Sequence, residues 1–203
     1  MRILWIDACV RNSSRTRLLA DKILSDMSGE VDRLVLQEAD LLPLDGARLA
    51  LRDALLAKRE FTHPMFDLAR RFAEADHIVI AAPYWDLAFP ALLKIYLEAV
   101  TVAGITFSYQ DGVPVGLCRA KKLTYVTTAG GQFVKEFGYG YLASLAKGLY
   151  GIRNTECYYA ENLDVFGITQ DNFWRQALIH HLTQGSAPGR FGGGSQEEYS
   201  HYR

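Results

Sequence analysis

Three cysteines, Cys9, Cys118 and Cys157, are all that this 203-residue chain carries, an odd number spread far apart with no paired-cysteine spacing. Neither a disulfide framework nor a structural zinc site is indicated, and a reducing cytoplasm is the expected setting. An excess of charge of either sign is missing too. With 22 Lys and Arg against 23 Asp and Glu, the formal net charge is -1, which gives no general reason to expect nucleic acid or an anionic membrane as partner. A small or neutral partner fits better. Long apolar runs are absent from the start of the chain, where Ile3-Leu4-Trp5-Ile6 meets Asp7 at once. That run is too short for a signal peptide or a membrane span, so a soluble cytoplasmic protein is expected. There is no Gly-x-Ser-x-Gly elbow, no Walker phosphate loop and no Gly-x-Gly-x-x-Gly fingerprint after the first strand, which disfavours a triad hydrolase, an NTPase or a Rossmann dehydrogenase. His180-His181 lacks metal-ligand spacing and reads as a helix end, and no metal site is expected.

What is present is alternation. Residues 77–82 form a short apolar run rich in β-branched residues and stopped by Pro83, the pattern of a strand buried on both faces of a parallel sheet. Pro90 suits a first helical turn, and Leu92, Leu93, Tyr96, Leu97 and Val100 follow at helical spacing. Further strands are expected at 2–7, 32–36, 122–128 and 157–160, and helices at 16–27, 47–58, 65–75, 139–152 and 169–182. Residues 104–117 break the alternation as a small hairpin around Asp111-Gly112. Five strands alternating with helices predict an α/β fold with a five-stranded parallel sheet of order 2-1-3-4-5 and right-handed crossovers. With 49% hydrophobic residues, residues 1–184 suffice for one domain, and the glycine-rich stretch 185–203 is expected to be a mobile tail.

In such a sheet a ligand lies outside the carboxyl ends of the strands where their order reverses. Three unusual loops fall there. The first, Ala8-Cys9-Val10-Arg11-Asn12-Ser13-Ser14-Arg15-Thr16, opens a helix with hydroxyls suited to capping, yet Arg11, Arg15 and Arg17 crowd the positive end of the helix dipole. A bound phosphate would resolve the conflict; otherwise the arginines reach into water or onto Asp7 or Asp21. The second loop, Tyr84-Trp85-Asp86-Leu87-Ala88-Phe89, carries more aromatic surface than a solvent-facing connection normally does. It reads equally as a platform for a flat ligand and as packing folded back on the core. The third, Thr127-Thr128-Ala129-Gly130-Gly131, permits close backbone approach and positive φ, or is an ordinary turn.

The segment APYWDLAFPALLKIYLEAVTVAGITFSYQDGVPVGL, followed by KKLTYVTTAGG, resembles the FMN-dependent NADH azoreductases and related NAD(P)H quinone reductases. The likeness runs over residues 2–182, is strongest over 78–131, and includes SLAKGLYGIRNTECYYA near the family's last helix and strand. The resemblance implies a flavodoxin-like three-layer sandwich and an FMN-dependent oxidoreductase. NADH or NADPH would give hydride to flavin N5 and leave, and a quinone, azo or similar aromatic acceptor would then take two electrons in a ping-pong cycle. The flavin would carry the chemistry, so no catalytic side chain is required. It further implies a homodimer, a small-molecule acceptor as partner, and cofactor contacts from Cys9, Arg11, Ser14, Arg15 and Thr16, of which Ser14, Arg15 and Thr16 would bind the phosphate. Pro83, Tyr84, Trp85, Asp86 and Leu87 would hold the ring, and Thr128, Ala129, Gly130 and Gly131 would border its pyrimidine end. Phe107, Tyr109 and Phe133 are candidates for the acceptor pocket. Asp86 stands where the family has asparagine and Ala129 where it commonly has arginine.

Other readings stay open at this level. Cys9 followed after five residues by Arg15 and Thr16 resembles the phosphate cradle of low-molecular-weight tyrosine phosphatases and arsenate reductases, in which the cysteine thiolate is the nucleophile. That class also uses an Asp-Pro element, and none of the six prolines here follows an aspartate. A flavodoxin-like electron carrier would use the same FMN site but meet a protein partner, for which a strongly acidic surface is usual. A chain that has lost the cofactor and serves as a binding module is the third.

Overall fold

The core of the sheet is His77–Ala81, labelled β3, in which every residue is buried. A computed structural model describes residues 1–184. On one side of β3 lies β1 (Arg2–Asp7), itself paired with β2 (Glu30–Val35); on the other lies β6 (Lys122–Thr128), paired with β7 (Asn154–Ala160). All of these pairings are parallel, and Asp7, Ala81 and Val126 stand side by side at the carboxyl ends of the three central strands. Alternation of side chains divides the core in two. Leu4, Ile6, Ile78, Ile80 and Tyr125 face one layer of helices, and Ile3, Trp5, Val79, Ala81 and Val126 face the other.

The first layer holds α2 (Gly46–Ala57), α3 (Asp67–Ala73), α4 (Ala91–Val100) and α5 (Tyr139–Leu145). In α4, Leu93, Tyr96, Leu97 and Val100 are the buried positions, which is the helical spacing that the sequence displays. The second layer is α1 (Arg15–Ser25), which buries Leu19, Ala20 and Leu24, together with α6 (Phe173–Gln176). Two expected helices are shorter than their periodicity suggests. Residues 65–75 begin with a 3-10 turn at Pro64–Phe66, and residues 139–152 change after Leu145 into a π turn over Ala146–Tyr150 that ends at Gly151 with φ 76°. The expected hairpin forms as β4 (Phe107–Gln110) and β5 (Val113–Gly116), turning through Asp111 and Gly112, both at positive φ. A Cβ on Gly116 would lie 2.1 Å from the Gly151 nitrogen, so the hairpin docks backbone to backbone on the π turn.

The five parallel strands take the expected order 2-1-3-4-5, but the sheet gains a sixth strand and the expected terminal helix requires correction. Residues 169–182 do not form one helix: after the single turn of α6 the chain extends, and β8 (His180–Gln184) joins the sheet antiparallel to β7, so the order is β2-β1-β3-β6-β7-β8. Cross-strand side chains explain the choice of strand. His181 lies opposite Tyr158 and stacks on it with ring centroids 4.1 Å apart, and His180 does the same on Tyr159 at 4.7 Å. His181 Nε2 also lies 3.1 Å from Glu156 Oε2, and the same oxygen meets Lys122 Nζ at 2.8 Å. The histidines therefore fasten an edge strand and do not close a helix. The remaining expectation, a mobile tail over 185–203, concerns residues outside those described.

Glu156 is 3% exposed. Burial alone would raise its carboxyl, but hydrogen bonds from His181, Lys122 and Thr124 outweigh that and bring it down to about 2 from an ordinary 4.5. Because the folded value is the depressed one, this stability is present above pH 4.5 and lost as pH falls toward 2. Urea unfolding should show the parent losing stability across that window, with Glu156→Gln roughly 3 kcal/mol weaker at neutral pH and much flatter below pH 4.5; a parallel acid profile for the two proteins contradicts the assignment.

Candidate functional site

Asp7, the last residue of β1, is completely buried yet charged, and it organises the loop that follows. Its Oδ2 accepts from Arg17 Nε at 2.8 Å and from Arg33 Nη2 at 2.6 Å, and its Oδ1 accepts from the Cys9 N–H at 3.0 Å. Burial pushes the Asp7 carboxyl up, but the bonds from Arg33, Arg17 and the Cys9 amide prevail and hold it below the usual carboxylate range. The rest of the Arg17 guanidinium donates to the carbonyls of Cys9, Arg11 and Asn12 at 2.6, 2.9 and 3.2 Å. One arginine thus takes up three loop carbonyls. At the start of α1 the Ser14 hydroxyl caps the helix by accepting from the Arg17 N–H at 3.2 Å, as its residue type suggests. The N–H groups of the first turn have no partner within a helix, and no acidic residue stands there. That end is consequently positive on two counts, the backbone dipoles and the arginines.

The loop after β1 meets the loops after β3 and β6 in a cleft of about 250 Å³. Of the expected cofactor contacts, Arg11, Ser14, Arg15, Thr16, Pro83, Tyr84, Trp85, Thr128 and Gly130 line it. The Thr16 and Thr128 hydroxyls share a buried hydrogen bond of 2.6 Å, which ties the start of α1 to the end of β6. Tyr84 packs edge-on against Phe133, with centroids 5.1 Å apart, and Phe133 in turn lies against Tyr159. Phe89 packs on Tyr141. Trp85, by contrast, is 38% exposed beside the cleft. The two open readings of the aromatic loop thus divide by residue: Tyr84 and Phe89 are packing, Trp85 is an exposed shelf. Between them Asp86 and Leu87 form a tight turn with φ of 51° and 66°, closed by the Ala88 N–H donating to the Trp85 carbonyl at 2.8 Å. Aspartate tolerates the left-handed region, but leucine does not, so Leu87 costs roughly 1 to 3 kcal/mol that the flanking prolines and packing must offset.

Several expected residues fall elsewhere. Cys9 is 1% exposed among the side chains between the sheet and α1. Burial and the neighbouring Asp7 charge push its thiol up to about 12, and it does not line the cleft, so nothing here supports the phosphatase reading. Asp86 and Leu87 point into solvent at the tip of their turn, and Asp86 caps no helix. Ala129 is buried with its N–H bonded to the Ala160 carbonyl, and the Gly131 carbonyl accepts from Asn162, so both hold the loop without lining the cleft. Phe107 and Tyr109 pack on each other in β4, which lies between the end of α4 and the start of β6 at the amino end of the sheet, remote from the cleft of this chain. Three lining residues were not singled out from the sequence: Val10, Ser13 and Asp164. The first two sit within the loop already suspected. Asp164 follows the last parallel strand, and the only available signal was the rule that every such strand points its carboxyl end toward the site. Its carboxylate stands over Gly130, where a Cβ would come within 2.1 Å of Oδ2, and it holds Arg15 Nη2 at 2.7 Å.

A larger cavity of about 540 Å³ opens at the opposite end of the sheet, beside α1. Its charged residues are already matched, Lys22 with Asp26 and Lys122 with Glu156, and its walls are mostly apolar. The smaller cleft contains one ion pair, Arg15 with Asp164, but among the described residues its Arg11 has no ion-pair partner, and it lies where the strand order reverses; on those grounds it is the candidate active site.

The chain is matched over residues 1–183 by a family model described as having a flavodoxin-like fold. An FMN-dependent NADH:quinone oxidoreductase of Clostridium perfringens (strain SM101 / Type A) is 32% identical over 177 residues, covering 82% of this chain and 89% of that protein. A second protein of the same designation, number 2 of Clostridium acetobutylicum, is 39% identical over 122 residues, and there the match spans 57% of this chain and 60% of the relative. Among solved structures, an azoreductase from Bacillus anthracis str. Sterne superposes with a TM-score of 0.70 at 23% identity, covering 84% of this chain and 90% of that one. An FMN-dependent NADH-azoreductase from B. anthracis str. Ames Ancestor in complex with FMN gives 0.68 at 20% identity, with coverages of 85% and 94%. These two likenesses establish the fold.

Arg17→Met should cost about 3 kcal/mol in urea unfolding at pH 7, the penalty for leaving a buried carboxylate short of a partner. The deficit should shrink below pH 3.8, the ordinary value of an aspartate, as Asp7 takes up a proton in the variant. An Arg17→Met protein as stable as its parent at pH 7 would show that this ion pair does not hold the loop.

Proposed function

Because this chain belongs to the flavodoxin-like family, we propose that it is an FMN-dependent oxidoreductase acting between NADH or NADPH and a quinone, an azo compound or a similar aromatic acceptor. The observation that carries the reading is the shape of the cleft: a positive, hydroxyl-rich end at Ser13, Ser14, Arg15 and Thr16 joined to an exposed tryptophan shelf at Trp85. FMN has a phosphate at one end and a flat ring at the other, and these residues fit both. Bound FMN would supply two-electron transfer between the nicotinamide and the acceptor.

The protein's own part is binding and orientation. Arg15, the Ser14 and Thr16 hydroxyls and the free N–H groups of the first turn of α1 hold the phosphate. Trp85 covers ring surface, Tyr84 is braced behind it by Phe133, and Thr128 and Gly130 border the polar edge. Gly130 has no Cβ, and the space this leaves is taken by the Asp164 carboxylate. The working unit in this reading is a homodimer of a single domain over residues 1–184. A second copy would cover the apolar groups left open near the mouth, among them Leu87 and Phe137 at 57% and 55% exposure. Among the described residues no helix is long and apolar enough to cross a membrane.

Purified protein given FMN should take up about one equivalent, and anaerobic NADH or NADPH should bleach it within the time of an enzymatic turnover, which a carrier that accepts electrons only from a protein would not allow. Trp85→Ala should weaken FMN binding by about tenfold, the loss of one stacking contact. Protein that stays colourless with excess FMN and ignores both nicotinamides would end this reading.

A further inference from the structure

Arg15 is the one cleft arginine whose guanidinium is already engaged at the site itself. Its Nη1 donates to the Ile168 carbonyl at 2.6 Å and its Nη2 to Asp164 Oδ1 at 2.7 Å, so the side chain spans from the start of α1 to the turn after β7. Asp164 is delivered there by the backbone. The Asn162, Leu163 and Asp164 N–H groups donate in sequence to the carbonyls of Gly131, Ala129 and Gly130, at 2.8, 3.2 and 2.9 Å. The turn is therefore stitched to the loop that borders the cleft, and its carboxylate stands over Gly130. The cleft accordingly contains an anion of its own, supplied by the chain, a few ångströms from the cation that a phosphate would seek.

Taking FMN binding at this cleft as given, we propose that Asp164 is an internal counter-ion for Arg15 that the FMN phosphate must displace, so that Asp164 sets the affinity and the release rate of the cofactor. The exposures of the two side chains decide which one moves. Asp164 is 71% exposed and its carboxylate can rotate into water at little cost, whereas Arg15 is 21% exposed and stays anchored by the Ile168 carbonyl. Exchange is therefore a matter of one rotating side chain, with the turn's backbone bonds to residues 129–131 kept. Once displaced, the carboxylate stays within the screening length of a dianion and repels it. An exposed ion pair is worth 0.2 to 1 kcal/mol, so removing this competitor is worth up to about a fivefold gain in affinity.

The test is titration of the apoprotein, parent and Asp164→Asn, with FMN and with riboflavin, which has the ring and lacks the phosphate. Asparagine keeps the size and much of the hydrogen bonding of the turn, and circular dichroism checks that the variant folds. Asp164→Asn should bind FMN up to about fivefold more tightly at low salt, with the gain fading at high salt, while riboflavin binding is unchanged. In an Arg15→Gln background the same substitution should gain less than half as much, because the cation being competed for is gone. Equal FMN affinities for parent and Asp164→Asn overturn the proposal while leaving the FMN reading intact, and a gain that extends to riboflavin overturns it by placing Asp164 against the ring. Failure of both proteins to bind either flavin overturns the FMN reading and this proposal with it.

Discussion

The buried charge of Asp7, met by Arg17 and Arg33, is the constraint on which the site is built. A carboxylate with no exposure is tolerable only with charged hydrogen bonds around it, and those bonds come from a helix one turn on and from the neighbouring strand β2. The same Arg17 gathers the carbonyls of Cys9, Arg11 and Asn12. With those acceptors satisfied, the loop leaves the hydroxyls and first-turn amides of 13–16 as its remaining polar resource beside the cleft. Arg17 is thus a positioning residue that shapes the loop.

The rest of the site follows from topology. Parallel β1, β3 and β6 bring their carboxyl ends to one edge, and the Thr16 to Thr128 hydrogen bond closes the gap between the first and the third loop. The aromatic loop after β3 contributes through a division of labour, in which Tyr84 and Phe89 secure it to the core and Trp85 is left outside. Of two adjacent left-handed residues, Asp86 and Leu87, the leucine is the strained part of that arrangement. Strain of this kind persists where the surroundings over-determine the backbone, and here two flanking prolines and two packed aromatics do so.

Much of this was legible beforehand. The buried strand at 77–82, the helix after Pro90 and the hairpin around Asp111-Gly112 follow from periodicity and turn chemistry, because each is dictated locally. The three site loops follow from the strand-order rule once the strands are placed. The failures share a different character. Residues 169–182 show helical spacing, yet the stacking of His180 and His181 on Tyr159 and Tyr158 and the pull of Glu156 are contacts across the sheet that no local pattern displays. Cys9 sits at the right place in a phosphate-cradle spacing, but spacing says nothing of which way a side chain points, and this one points into the core. The partners of the arginines were equally hidden: Arg17 pairs with Asp7, one of the two carboxylates that the sequence suggests, whereas Arg15 pairs with Asp164, almost 150 residues away.

The central claim is that a phosphate rests on the first turn of α1. Backbone amide resonances give the most direct measure of it, because an N–H that donates to a dianion moves far more than one that only senses a ligand nearby. On titration of isotope-labelled protein with FMN, the amides of residues 13–16 should show the largest displacements, and riboflavin should leave those four nearly unmoved while still perturbing Trp85 and Gly130. Displacements centred instead on Lys122, Glu156 and the cavity at the amino end of the sheet would contradict the account.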